Sequence, residues 1–312
     1  MSFGTGFDLF EVQSIPEKGK GLVARSNIAK VLIEKPLFTL DPEADLVESS
    51  VVSKVKALSK DKQRQFLALH NNFPGKNVFS GVFRTNALPC GPESVVGAVY
   101  PTICLINHCC DPNSHNNWNN KTSSETIHAV RDMKAGEEIM IPYAKQEASF
   151  TRRALLKSSF GFDCSCSLCS LPVSELKKSE ARRLRIEELD QAIGEPSRLV
   201  NAPTKALADC QEMARVIEEE FPNGSASPLE ASLYYDAFQI SITHGDEARA
   251  SAFAERAYRA RVICEGEDSP ETENMERLMN KPTIHRNYGI SKRWRMTKNM
   301  VSKGLDGKEF DE

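Results

Sequence analysis

Three cysteines fall within six positions at Cys164-Ser165-Cys166-Ser167-Leu168-Cys169, a C-x-C-x2-C spacing that lets one loop present three thiolates to a single tetrahedral ion. Structural zinc sites are closed by four ligands, so a fourth must arrive from a distant part of the chain. The obvious source is the adjacent pair Cys109-Cys110. Any fold of this sequence must then bring a loop near residue 110 against the segment after residue 160. The bland alternative, ordinary small buried residues, would need three of the nine cysteines to fall together by chance. Cys90, Cys104, Cys210 and Cys264 stand alone and fit packed core thiols. No run of eighteen or more apolar residues exists, and the start, MSFGTGFDLFEVQSIPEKGKG, lacks an apolar stretch after a basic one. A soluble, unexported protein of the cytoplasm or nucleus is expected, where clustered cysteines are metal ligands before they are disulfides.

Hydrophobic spacing divides the rest of the chain. From Leu9 to Leu40, short apolar runs are punctuated by Pro16, Gly19, Gly21 and Pro36, which predicts strands and turns over residues 1–40. Residues 41–78 change character: Val52, Val55, Leu58, then Phe66 and Leu67 fall at helical intervals, predicting two short helices inserted into a β-rich domain. After Phe73-Pro74-Gly75 strands are expected to resume, in a core segment spanning 79–159. Within it, residues 126–143 look like two strands joined by a Lys134-Ala135-Gly136 turn. Residues 160–170 form the cysteine loop. From 171 to 312 the period lengthens, with Leu207, Cys210, Met213, Ile217 and Phe221, then Leu229, Leu233, Ala237 and Ile240, then Phe253, Ala257 and Val262. Breaks at Pro222-Asn223-Gly224, Gly245-Asp246 and Asp268-Ser269-Pro270 separate amphipathic helices, pairing in the manner of tetratricopeptide hairpins without an exact repeat.

The loop NHCCDPNSHNNW at 107–118 is too polar to choose helix or strand for itself, and its density of amides and imidazoles suits a binding surface. A formal charge of -3 and a pI near 6.1 argue against a general nucleic-acid binder, which would carry a basic excess. Acidic stretches at 218–220 and 265–273 would draw a cationic protein tail, but they fit solvated helix ends better. The basic stretch 285–304 fits a frayed tail better than a nucleic-acid patch.

Four motifs occur in a telling order: KGKGL at 18–22, NHCCDPN at 107–113, GEEIMIPY at 136–143 and GFDCSCSLC at 161–169. Together they resemble the SET-domain protein-lysine methyltransferases, in the branch related to the SET-and-MYND proteins, over about residues 9–170 and more loosely over 171–290. No second cysteine array lies between Leu40 and Phe79, so the MYND finger of that branch is absent. Cys109 stands where the family often has serine, which makes Cys110 the better match to the zinc ligand. Val31 follows Lys30 directly where the family usually has a glycine-containing turn, so the chain is contracted there. Pro142, before the family's tyrosine, is a further local departure and should hold residues 140–141 extended.

The resemblance implies an α+β chain: a β-rich SET fold with knot-like C-terminal threading, a zinc-binding post-SET loop and an α-helical C-terminal domain. It implies S-adenosylmethionine as cofactor and structural Zn2+ held by Cys110, Cys164, Cys166 and Cys169. Lys18, Gly19, Lys20 and Gly21 would flank the methionine end through their backbone, although GKG alone could be a plain β-turn. Asn107 and His108 would hydrogen-bond the adenosine part, the alternative for His108 being a buried histidine satisfied by backbone partners. Asn86 would contact the methionine moiety and Phe162 would pack on adenine. Tyr143 matches the catalytic tyrosine; the bland alternative is an amphipathic core residue ending a strand. Tyr100 would line the lysine channel or anchor its strand. The implied activity is S-adenosylmethionine-dependent protein-lysine N-methylation by a monomer, on a histone or non-histone protein presenting a lysine, with no membrane and no strong nucleic-acid partner. The competing reading is a catalytically inactive, zinc-stabilised SET scaffold that serves as an interaction module, and transfer to a different nucleophile is a third.

Overall fold

The computed structural model describes residues 9–41, 47–92, 94–144 and 148–294. Two compact units divide the chain, residues 1–170 and 171–312. Among the described residues no helix is long and apolar enough to cross a membrane.

The first unit is built from small sheets. Strand β1 (Phe10–Ile15) turns through Glu17 and Gly19, both at positive φ, into β2 (Gly19–Ala24), with Val12 opposite Leu22 and Gln13 opposite Gly21. The far edge of β2 is taken by a strand from much later in the chain, Glu138–Ile141, which pairs antiparallel with Ile139 opposite Leu22. That strand in turn carries Asn107–His108 in parallel, with Met140 beside Asn107 and Ile141 beside His108. Leu22, Ile139 and Ile141 alternate inward and join Ile103, Ile106 and Ile127 in one buried cluster, which is why this register is the stable one.

The second sheet orders Ile28–Glu34, Ser124–Met133 and Ser114–Asn119 as edge, centre and edge. Its first strand passes without a turn through the contracted point after Lys30. The mismatch is taken up in the pairing, where register shifts separate Ile28 opposite Met133, Lys30 opposite His128 and Leu32 opposite Ile127. A third small sheet joins Phe38–Leu40, Gly97–Val99 and Leu88–Pro89.

The helical insert is larger than its sequence pattern predicts. Helices α1 (Glu48–Lys56) and α2 (Lys60–Leu67) are followed by α3 (Val78–Asn86), where strands were expected to resume after residue 78. Phe79, Val82 and Phe83 have helical spacing, but the acceptor for the first free amides of α3 is remote: both oxygens of Glu48 accept from the N–H groups of Phe79 and Ser80. A helix N-terminus satisfied from α1 leaves no capping signal of its own. Phe38, Phe66, Phe79 and Phe83 then pack in a chain of rings with centroids 5.5–6.2 Å apart.

In the second unit, α5 (Val173–Ile193), α6 (Pro196–Asn201), α7 (Pro203–Glu220), α8 (Ser227–Thr243), α9 (Glu247–Glu265) and α10 (Pro270–Asn280) follow one another, after a short α4 (Ser149–Leu155) that ends the first unit's chain before the cysteine loop. Leu207, Cys210, Met213 and Ile217 face Leu233, Ala237 and Phe253 in the core. Buried Arg183 pairs with Glu220 at 2.6 Å and lies over the Phe221 ring. The expected frayed tail at 285–304 is not what residues 285–294 form: Gly289, Ser291 and Trp294 donate backbone hydrogen bonds to Ile242, Thr243 and His244, and the Trp294 ring packs on His244. Paired carbonyls at the end of α8 and a partly buried indole hold that stretch down. Residues 295–304 of it lie outside the described residues.

Candidate active site and metal centre

Parallel pairing of residues 107–108 with 140–141 brings the polar loop beside the strand that leads into Tyr143. Close approach to the first hairpin depends on Gly21. A Cβ there would sit 2.6 Å from Ile15 Cγ1 and 2.9 Å from Asn107 Nδ2, below any real contact, so only glycine admits Asn107 to this position. Asn107 Nδ2 donates to the Lys20 carbonyl at 3.1 Å and to Glu138 Oε1 at 2.8 Å, while Glu138 Oε2 binds Lys18 Nζ at 2.8 Å. The GKG strand, Asn107 and Glu138 thus form one hydrogen-bonded patch. Around Gly19, where φ is +79°, nothing lies within 4 Å of the Cβ position, leaving open space along the strand.

Asn113 locks the polar loop to the tyrosine strand. It is fully buried, its Nδ2 donates to Glu137 Oε1 and the Glu138 carbonyl, and its Oδ1 accepts from the Met140 N–H. Its side chain thus ties the polar loop to Glu137, Glu138 and Met140.

Tyr143 sits where these segments converge. Its hydroxyl donates to the Ile106 carbonyl at 2.5 Å and its N–H donates to His108 Nδ1 at 3.0 Å. The phenol packs on Phe160 and His108, with centroids 4.8 and 5.4 Å away. Burial pushes its pKa up, so the phenol stays protonated at neutral pH. Phe162 reaches the other side of His108 at 6.1 Å, carried there by Gly161 at φ +79° after a π-turn over Leu156–Phe160.

Burial pulls the His108 pKa down to about 4, so the ring is neutral. Nδ1 accepts from Tyr143, which assigns the ring proton to Nε2, and Nε2 lies 3.2 Å from Cys110 Sγ. Both ring nitrogens therefore have partners inside the protein.

The thiol cluster has metal geometry. Ligand atoms of Cys110, Cys164, Cys166 and Cys169 all lie within 4.8 Å of one another, with Cys110 Sγ 3.6 Å from Cys169 and 3.9 Å from Cys164. Sulfurs about 2.3 Å from a tetrahedral zinc stand about 3.8 Å apart, so the quartet fits such an ion. Cys109 is not in it; its Sγ lies 3.2 Å from the Asp111 carbonyl oxygen. Hydrogen bonds from Cys109, then from Cys110, Cys164 and Cys169, draw the Cys166 thiol down, while those linking Cys110 to Cys164, Cys166 and Cys169 push Cys110 up. A divalent cation would be held by all four as thiolates. Arg153 donates to the Cys169 carbonyl and holds the loop from outside.

Asn86 and Tyr100 each have partners of their own. Asn86 Nδ2 donates to the His70 and Val82 carbonyls. Tyr100 is fully buried, its hydroxyl 3.4 Å from Glu125 Oε2, which is the anchoring arrangement rather than a channel wall. Glu125, buried and pushed up to about 7 by desolvation, also accepts from Asn116. Sequence reasoning passed over Glu138 and Phe160. The doubled Glu137-Glu138 and the Phe160-Gly161-Phe162 spacing were the available signals.

The SET domain profile matches residues 19–144. Histone-lysine N-methyltransferase set5 of Schizosaccharomyces pombe is 32% identical over 284 residues, 89% of this chain and 86% of that protein. N-lysine methyltransferase SMYD2 of Homo sapiens is 26% identical over 60% of this chain and 40% of its own length. Histone-lysine N-methyltransferase SMYD3 of Homo sapiens is 39% identical over 25% of this chain and 18% of its own. Among solved structures, the SET domain of LSMT bound to lysine and AdoHcy aligns over 91% of this chain and 88% of its own at 12% identity, with a TM-score of 0.37. Nearly end-to-end similarity to set5, together with the profile match across the GKG strand, the polar loop and the tyrosine strand, places the chain in the SET-domain family.

Proposed function

We propose that the protein is an S-adenosylmethionine-dependent protein-lysine N-methyltransferase. The observation that carries this reading is the convergence on Tyr143 of the polar loop, the aromatic pair and the hairpin-lined open strand. Bound cofactor supplies an electrophilic methyl on its sulfonium. The chain's part is alignment for in-line displacement, and a well-held approach lowers the barrier chiefly through orientation.

Backbone groups of Lys18 to Gly21 and of Asn107-His108 are available to line the cofactor, with Phe162 as the aromatic wall. Tyr143 donates its proton to Ile106, which leaves its oxygen lone pairs facing outward to orient an incoming amine and offset developing charge. No group here is a strong base: His108 is neutral and committed, and the Tyr143 phenol stays protonated. Loss of the lysine proton would therefore follow from desolvation and the sulfonium's charge.

The thiol quartet is proposed to hold structural Zn2+, tying the loop after Gly161 to residue 110. Parallel pairing of 107–108 with 140–141, and the grip of Asn113 across it, support a knot-like threading of the tyrosine strand. The substrate is proposed to be a protein lysine, histones being the first to try because set5 carries that name, with action in the cytoplasm or nucleus.

Incubation with methyl-labelled S-adenosylmethionine and core histones, then acid hydrolysis, tests the reaction. Labelled Nε-methyllysine is expected. Label confined to another nucleophile would overturn the lysine assignment, and no label on histones or in a cell extract would favour a non-catalytic interaction module.

A further inference from the structure

We infer that His108 is a positioning residue that couples the metal centre to Tyr143, so that filling the thiol quartet sets the placement of the tyrosine. The inference rests on the methyltransferase reading above and adds a route by which a structural ion controls the reacting side chain.

The geometry is a short chain of single contacts. Cys110 alone among the quartet comes from outside residues 164–169. Its Sγ is 3.2 Å from His108 Nε2, and on the other edge of the same ring Nδ1 accepts from the Tyr143 N–H at 3.0 Å. Pro142 precedes Tyr143 and has no N–H, and strand pairing ends at Ile141, so the imidazole is the acceptor that this amide has. The Tyr143 hydroxyl is meanwhile held by Ile106, two residues before His108. Tyr143 is therefore clamped at its amide and its hydroxyl by one three-residue segment, and that segment is pinned through Cys110.

Metal-bound thiolate keeps negative charge on sulfur, and an N–H donor to such a sulfur is stronger than one to a neutral thiol. Ion binding thus favours the ring proton on Nε2, the one tautomer that leaves Nδ1 free to accept from Tyr143. In the other tautomer two N–H groups would face each other.

Two substitutions separate the halves of the link. H108N keeps an acceptor at the Nδ1 position and cannot reach Cys110; H108Q keeps a donor near Nε2 and loses the acceptor. H108N is expected to bind zinc about tenfold to a hundredfold more weakly in chelator competition. H108Q is expected to hold zinc as the wild type does while kcat falls and KM for S-adenosylmethionine stays put. Equal metal affinity in both variants together with equal kcat would overturn the coupling. Should the variants not fold, wild-type protein labelled with 15N-histidine decides: chelation should move the His108 ring nitrogens away from the Nε2–H pattern, and unchanged shifts would refute the link. Failure of wild-type methyl transfer would instead sink the enzymatic reading, leaving the metal-dependent ring signal to stand or fall separately.

Discussion

Tyr143→Phe removes one oxygen and keeps everything else the structure gives that residue. The ring still packs on Phe160 and His108, and the backbone N–H still reaches His108 Nδ1. What disappears is the 2.5 Å hydrogen bond to the Ile106 carbonyl. An unsatisfied carbonyl in a half-buried site costs about 1–3 kcal/mol of stability, which the domain should survive. Loss of a preorganised oxygen at the reacting centre costs about 3–4 kcal/mol of transition-state stabilisation, roughly a factor of a hundred to a thousand in kcat. Methyl transfer at saturating cofactor, calorimetric cofactor affinity and thermal unfolding should be read side by side. The expected set is a large fall in kcat, unchanged cofactor affinity and a modest loss of stability. Wild-type kcat in Y143F would remove the phenol from the mechanism, and an equal fall in cofactor affinity would recast it as a binding residue.

Cys110→Ser should lower bound zinc below one per chain by elemental analysis, whereas Cys109→Ser, outside the quartet, should leave metal content unchanged. Gly21→Ala would drive a methyl into Ile15 and Asn107; overpacking of about 1–3 kcal/mol and weaker cofactor binding are expected, by unfolding and calorimetry. Glu125, buried and raised to about 7, binds its proton more tightly folded than unfolded. Its contribution is present in full below about pH 4.5 and is lost as pH rises through 7, on the order of 3 kcal/mol in all. Glu125→Gln should therefore flatten the stability of the first unit across that window, and an unchanged pH profile would contradict the buried-carboxyl account.

What the sequence makes legible is local chemistry. C-x-C-x2-C declares three ligands because they share one loop, and Gly136 declares a turn because its φ of +85° suits glycine. Choosing Cys110 over Cys109 rested on resemblance, and the quartet's geometry agrees. Remote partnerships left no trace. Helix α3 was hidden because Glu48 caps it from another helix. The two ring partners of His108, Tyr143 and Cys110, could not be read from the sequence, because they meet different ring nitrogens and one of them is far along the chain. The carbonyl partners of Asn86, on His70 and Val82, were equally silent in the sequence. The contraction after Lys30 is plain in sequence, whereas the register shifts against the strand Ser124–Met133 that accompany it are not.

Cofactor binding tests the central claim most directly. Purified protein shown to be folded and zinc-replete should be titrated calorimetrically with S-adenosylmethionine. Binding of one molecule per chain, micromolar or tighter, is the expected result; a flat titration in that same protein would contradict the methyltransferase account.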